Sequence, residues 1–215
     1  MDLSTSRFPV LLDTRKEPTM TAATTSRRPR ALTVAAFAQF AIALAFLSIP
    51  LLGLVFGGDV QAAARAEVAR QGQDPAVLAE HGLAFGETGK ALIVPVAVAA
   101  LLTLTGSLTL AAKRAGRVLA WIVLPLVALG NIAIMASNAA VVETLGKVFA
   151  DSGDARLAAL DARGLVDAAF AAYPAWLPAL EVARAVVIFG GVLVGLVAIS
   201  ARGARVAFGR GRKGA

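Results

Sequence analysis

The side chains best suited to chemistry in this chain are few and far apart. His81 is the single histidine and stands beside Glu80. A lone imidazole in a chain with no cysteine lacks the ligand set of a zinc or bis-histidine haem site. The same lack of thiols removes disulfides, iron–sulfur clusters and cysteine nucleophiles. Glu181 and Arg184 are spaced i, i+3, which places them on one helical face as an ion pair. Among uncharged polar residues, Thr103 and Ser107 are spaced i, i+4, Asn131 and Asn138 lie one heptad apart, and Gln39 stands alone in an apolar stretch. No Gly-rich phosphate loop, metalloprotease helix or nucleophile elbow occurs. Lipid chemistry would need exterior acids such as Glu80, Asp154 and Asp161 to converge on a pocket. The expectation is a non-enzymatic protein with no cofactor and no resident metal.

The elements that carry these residues are set by where charge is missing. Residues 31–58, 91–112, 118–142 and 185–201 contain no Asp, Glu, Lys or Arg. A hydrocarbon core about 30 Å thick needs roughly 20 helical residues. Hydrocarbon leaves no backbone polar group solvated, and no period-two barrel pattern appears, so helices are the remaining way across. The fold class expected is an all-α integral membrane protein with four transmembrane helices in an antiparallel bundle. The spans are placed at 31–58, 91–112, 118–142 and 178–201. The first charge-free run is too long for the roughly 7 to 15 residues of a signal-peptide core, so it reads as a retained span. Met20 is a second possible start, opening a Thr/Ser-rich leader.

Charge then gives direction, because Lys and Arg gather in short cytoplasmic segments. Residues 1–30, 113–117 and 202–215 hold 14 basic and 3 acidic residues, a net +11. Residues 59–90 and 143–177, with Glu181 and Arg184 at the outer end of the last span, hold 7 basic and 11 acidic residues, a net −4. Both termini are therefore expected in the cytoplasm of a cell with a plasma membrane. The formal +7 of the chain is the remainder of two surfaces of opposite sign. The basic ends adjoin spans and fit anionic headgroups at the cytoplasmic face. Only Phe208 is interleaved with them as a stacking ring, so nucleic acid is not an expected partner.

The two exterior connections are long enough to carry structure of their own. Val60 to Gln71 reads as a short helix, and Asp74-Pro75 as the start of another. Asp154 reads as the cap of a third helix holding Leu157, Leu160 and Leu165, weakened by Gly164. Phe170, Tyr173 and Trp176 read as an outer interfacial belt, with an aromatic ligand platform as the alternative, and Trp121 serves the inner interface. Gly53 with Gly57, and Gly191 with Gly195, have the small-residue spacing that lets helices approach, within the bundle or between copies. Pro50 and Pro125 are expected to bend their helices.

Gln39, Thr103, Ser107, Asn131 and Asn138 form the candidate polar seam across helices. In the alternative bond pattern, Thr and Ser turn back to their own helix. The functional expectation is an assembly or accessory component of the cell envelope, working as a homo-oligomer or with a membrane-protein partner. The alternative is a small-solute transporter or channel subunit built on the seam. Abundant Ala, Gly and Val, with Arg favoured over Lys, points to a bacterial source.

Overall fold

A computed structural model of the chain describes residues 29–86 and 89–210. The leader, the Met20 start and the last residues of the basic tail lie outside the described residues. Among the described residues the chain is all-helical, with four helices long and apolar enough to cross a membrane. They are α1 (Arg30–Arg70), α3 (Ile93–Leu110, entered through a 3-10 turn Gly89–Leu92), α4 (Arg114–Ala139) and α8 (Leu177–Ser200). Shorter helices are α2 (Ala76–Glu80), α5 (Val141–Asp151), α6 (Ala155–Ala158), α7 (Ala162–Ala171) and α9 (Arg202–Arg210).

The apolar stretches of the four long helices bury no more than 28% of their residues inside the protein. The outward faces carry Phe37, Leu44, Val55, Leu104, Leu129 and Leu193, each more than half exposed. Such a belt far exceeds the apolar patches of a water-soluble monomer, and it suits a hydrocarbon solvent. Inside the belt Ala35, Ile42, Phe46, Leu102, Leu124, Ile188 and Ile199 make one core between the four helices.

At 1.5 Å per residue the 41-residue α1 is about 61 Å long, against roughly 36 Å for the 24-residue α8. Residues 60–71, expected as a separate short helix, are instead the continuation of α1 beyond the ends of the others. No breaker separates the two parts, because Gly57 and Gly58 are tolerated inside a helix that is packed on both sides of them. On this overhang Ala64 and Val68 face a second core with Val77 and Leu78 of α2, Phe149 of α5, Leu157 of α6 and Leu165 of α7. The two long connections and the end of α1 thus close into one folded cap.

Sequence boundaries move in two further places. The third span ends at Ala139, and after a turn at Ala140 the amphipathic α5 begins, so residues 141 and 142 belong to the cap. The helix expected after Asp154 is two helices: Asp154 accepts from Arg156 N at 2.8 Å, and Asp161 accepts from Arg163 N at 3.0 Å. Each aspartate is an N-cap, and the second cap interrupts what the leucine spacing ran together. Asp74 accepts from Ala76 N at 2.9 Å and starts α2 as expected.

Helix ends are closed by left-handed residues. Gly72 and Gly82 have φ +80° and +66°, and the residues after them return bonds to Val68 and Leu78, which is the Schellman pattern. The end of α3 does the same with Ala112 at φ 54°. At this basic end Leu32 of α1 packs against Ala204 and Phe208 of α9, with Ala112 beside them. Phe208 is therefore core and not a stacking ring.

Candidate functional site

The cap is fixed to the overhang of α1 by polar bridges. Glu67 binds Arg70 through Nε at 2.6 Å and accepts from Gln71 at 2.7 Å. Gln71 in turn accepts from Asp161 N at 2.7 Å, joining α1 to the start of α7. A Cβ at Gly164 would come within 3.0 Å of Glu67 Oε1 and Asp161 Oδ2. That glycine marks the close approach of α7 to α1, which outweighs its cost in helix propensity. On the other side of the cap His81 Nε2 is 3.0 Å from Asp154 Oδ2, and Arg156 bonds both Glu80 and Asp154, at 2.7 and 2.8 Å. Arg156 first, and His81 after it, hold the Asp154 carboxyl well below its usual range. These acids thus serve as caps and bridges, and none of Glu80, Asp154 or Asp161 lines the cavity described next.

Between the cap and the upper ends of the long helices lies a cavity of about 510 Å³. Phe46 and Pro50 of α1, Pro95 of α3 and Ile134 of α4 form its floor and walls, and Phe85 and Ala169 of the cap form its roof. Seventeen of its 21 lining residues are apolar, and the others are Asn138, Tyr173, Glu181 and Arg184. Gln61 holds the roof: its Oε1 accepts from Phe85 N at 2.8 Å and Gly86 N at 3.3 Å. One side is open, because every residue of α4 from 132 to 139 is exposed and the last buried residue of that helix is Asn131.

Glu181 and Arg184 share this cavity, but among the described residues no ion pair joins them. Arg184 Nε is buried without a hydrogen-bond partner. The pair expected from i, i+3 spacing is therefore a juxtaposition of two separate charges. The aromatic trio is divided as well. Tyr173 and Phe170 line the cavity and touch, with ring centroids 6.3 Å apart, while Trp176 is half exposed at the start of α8. Trp121 is exposed near the basic end.

The seam does not assemble as its spacing implied. Thr103 and Ser107 are exposed, and each hydroxyl donates 2.8 Å back to its own helix, to Ala99 O and Thr103 O. The buried pair is Thr105 and Thr109, and Gln39 Nε2 reaches Thr109 Oγ1 at 3.5 Å. Asn131 is fully buried, with Nδ2 3.6 Å from Met135 Sδ and Oδ1 unbonded, whereas Asn138 is exposed at the cavity. Thr105 and Thr109 have the same i, i+4 spacing as the outward pair. What could have selected them is the pair of small residues Ala99 and Gly106 on their face, since small residues mark the faces where membrane helices meet.

All four packing glycines look into the protein. Gly53, Gly57 and Gly195 are buried. A Cβ at Gly191 would lie 2.9 Å from Ile42 Cγ1, and one at Gly195 2.9 Å from Leu124 Cδ1. Gly106, not singled out by spacing, would meet Phe40 at 2.8 Å.

Four helices long and apolar enough to cross a membrane, with a helical cap at one end, define the class as a multi-pass membrane protein. No protein-family model, curated protein or solved structure matches the chain.

Proposed function

We propose that this chain is a non-enzymatic, multi-pass protein of a bacterial plasma membrane that serves as an assembly or accessory component of the cell envelope. In this reading the four helices form an antiparallel bundle with both termini cytoplasmic. Support for that arrangement comes from the cluster of Leu32, Ala112, Ala204 and Phe208, which gathers the start of α1, the α3–α4 link and the tail at one end. Those segments are also the ones with the basic excess. The basic surface then lies on anionic headgroups. A reporter fused to the C-terminus should be silent in the periplasm, and an active periplasmic reporter would overturn the orientation.

The observation that carries the functional reading is the cap. Its side chains are committed to a core and to inter-helix bridges, and it is carried on the overhang of α1 with charged residues such as Lys147 and Asp167 exposed. That is the build of an element that meets a partner, either another membrane protein or a second copy. Transport is less well supported, because Thr103 and Ser107 are exposed and bond back to their own helix, which interrupts the polar path it requires. A photocrosslinker placed at the exposed positions Lys147 and Asp167 should trap a defined neighbour in native membranes. A lone monomer at both positions would overturn the reading.

A further inference from the structure

The cavity under the cap combines three features that together specify a ligand. Its volume is within the roughly 300–1,000 Å³ of small-molecule sites, and its lining is apolar apart from Asn138, Tyr173, Glu181 and Arg184. Glu181 and Arg184 put an anion and a cation on one face of α8, with Cβ atoms roughly 5–6 Å apart by helical geometry, and no ion pair joins them. The third feature is the open side along α4, residues 132–139, which faces the same surroundings as the apolar belt.

We infer that the cavity is a lateral binding site for one zwitterionic phospholipid of the surrounding leaflet, with an acyl chain in the apolar volume, its phosphate on Arg184 and a primary ammonium on Glu181. The inference rests on the reading that the long helices cross a bilayer. Arg184 lies seven residues into α8, about 10 Å along it, directly before the charge-free run 185–201. A guanidinium whose buried Nε has no partner is costly there, and a phosphate satisfies its planar donor fork. A purely anionic headgroup would meet Glu181 at close range. A quaternary ammonium has no N–H to give that carboxylate, whereas a primary ammonium has three. An apolar ligand would leave both charges desolvated. Asn138, at the mouth, adds an amide that bonds ester or phosphate oxygens. The volume holds one chain, so the second chain stays in the bilayer and entry is sideways.

The test uses the full chain, delipidated in detergent and titrated separately with phosphatidylethanolamine, phosphatidylglycerol and phosphatidylcholine, with bound lipid counted by native mass spectrometry. One phosphatidylethanolamine should be retained in preference to the other two. Arg184→Gln and Glu181→Gln should each weaken it about tenfold, the scale of one lost hydrogen bond to a charged group, and Arg184→Lys should weaken it less. Circular dichroism of each variant confirms that the helices persist. Thr103→Val, on an outward face, should leave binding unchanged. Phosphatidylglycerol binding as tightly as phosphatidylethanolamine would overturn the role of Glu181. Equal retention of all three lipids, or binding indifferent to Arg184→Gln in a folded variant, would overturn the site. Loss of this inference with a crosslinked neighbour still trapped at the cap would leave the assembly reading standing, so the two fail separately.

Discussion

The roof of the cavity rests on a contact between two backbones, and this makes Gly86→Ala the sharpest perturbation. A Cβ at residue 86 would lie 2.3 Å from Gly57 O and 2.9 Å from Gly57 C. Neither atom can rotate away, so residues 83–86 must lift from α1. Lifting strains packing by about 1–3 kcal/mol and pulls Phe85 N and Gly86 N from Gln61 Oε1, at about 1 kcal/mol each. The cap should lose about 3–5 kcal/mol. Because the chain has no cysteine, a single Ala162→Cys in the cap core, where Ala162 is 9% exposed, reports cap opening by its rate of thiol labelling. A loss of about 3 kcal/mol raises that rate about 150-fold when opening is in rapid equilibrium. Gly58→Ala is the internal control, since nothing lies within 4 Å of its added Cβ and alanine favours the helix by up to about 1 kcal/mol. Labelling of the Gly86→Ala protein within twofold of its parent, or faster labelling of Gly58→Ala, would refute the reasoning.

Other perturbations test separate parts of the structure. Ala112→Gly should stabilise the protein by about 1 kcal/mol in thermal unfolding, because φ 54° strains an L-residue, less a little for the methyl that packs beside Leu32. Asp154 has a folded pKa below its unfolded one, so its contribution is whole above the ordinary carboxylate range and fades as pH falls through it. Hydrogen exchange in α6 should accelerate below about pH 4, and Asp154→Asn, which still caps the helix, should flatten that acid limb while loosening α6 at neutral pH. Thr103→Val and Ser107→Ala should shift thermal stability by less than about 0.5 kcal/mol, and Asn131→Leu should be neutral or stabilising, since Asn131 Oδ1 has no partner to lose.

The four long helices were legible because hydrocarbon tolerates no charge over a run of some 20 residues, a constraint that leaves its mark residue by residue. Which face of each helix turns inward was not legible. In water the buried face is apolar and the exposed one polar, but here both faces are apolar, and Thr103 with Ser107 cannot be told from Thr105 with Thr109 by spacing. Steric size carries that information instead, at Gly106 against Phe40 and at Gly191 against Ile42. In the cap the ordinary rules return. Asp74, Asp154 and Asp161 each start a helix, and Gly72 and Gly82 each end one. Two local features escaped, the Asp161 cap that splits the helix after Asp154 and the unbroken run of α1 to Arg70, and so did the non-local ones: Gln61, Gln71 and Arg156 act through partners 24 to 90 residues away, and no local pattern marks a glutamine as a bridge.

The position of the cavity follows from the same distribution of small and rigid residues. In the half of the bundle near the basic end, glycine lets helices close to contact, at Gly106 with α1, Gly191 with α1 and Gly195 with α4. In the other half the inward positions include Pro50 of α1 and Pro95 of α3. Pro50 lacks the N–H that would bond Phe46 O, and both residues line the cavity. Along α4, burial stops at Asn131, two turns before the helix ends. Four helices that are close-packed at one end and unpaired along α4 at the other must enclose space between them. The cap covers that space from above, because the overhang of α1 carries it there. Replacing Ile134 and Asn138 with alanine, at the rim, should therefore leave bundle stability nearly unchanged, whereas Gly195→Leu, which drives a side chain into Leu124, should unfold the tight half. Equal sensitivity of the two ends in thermal unfolding would show that the packing is uniform and that the cavity has another origin.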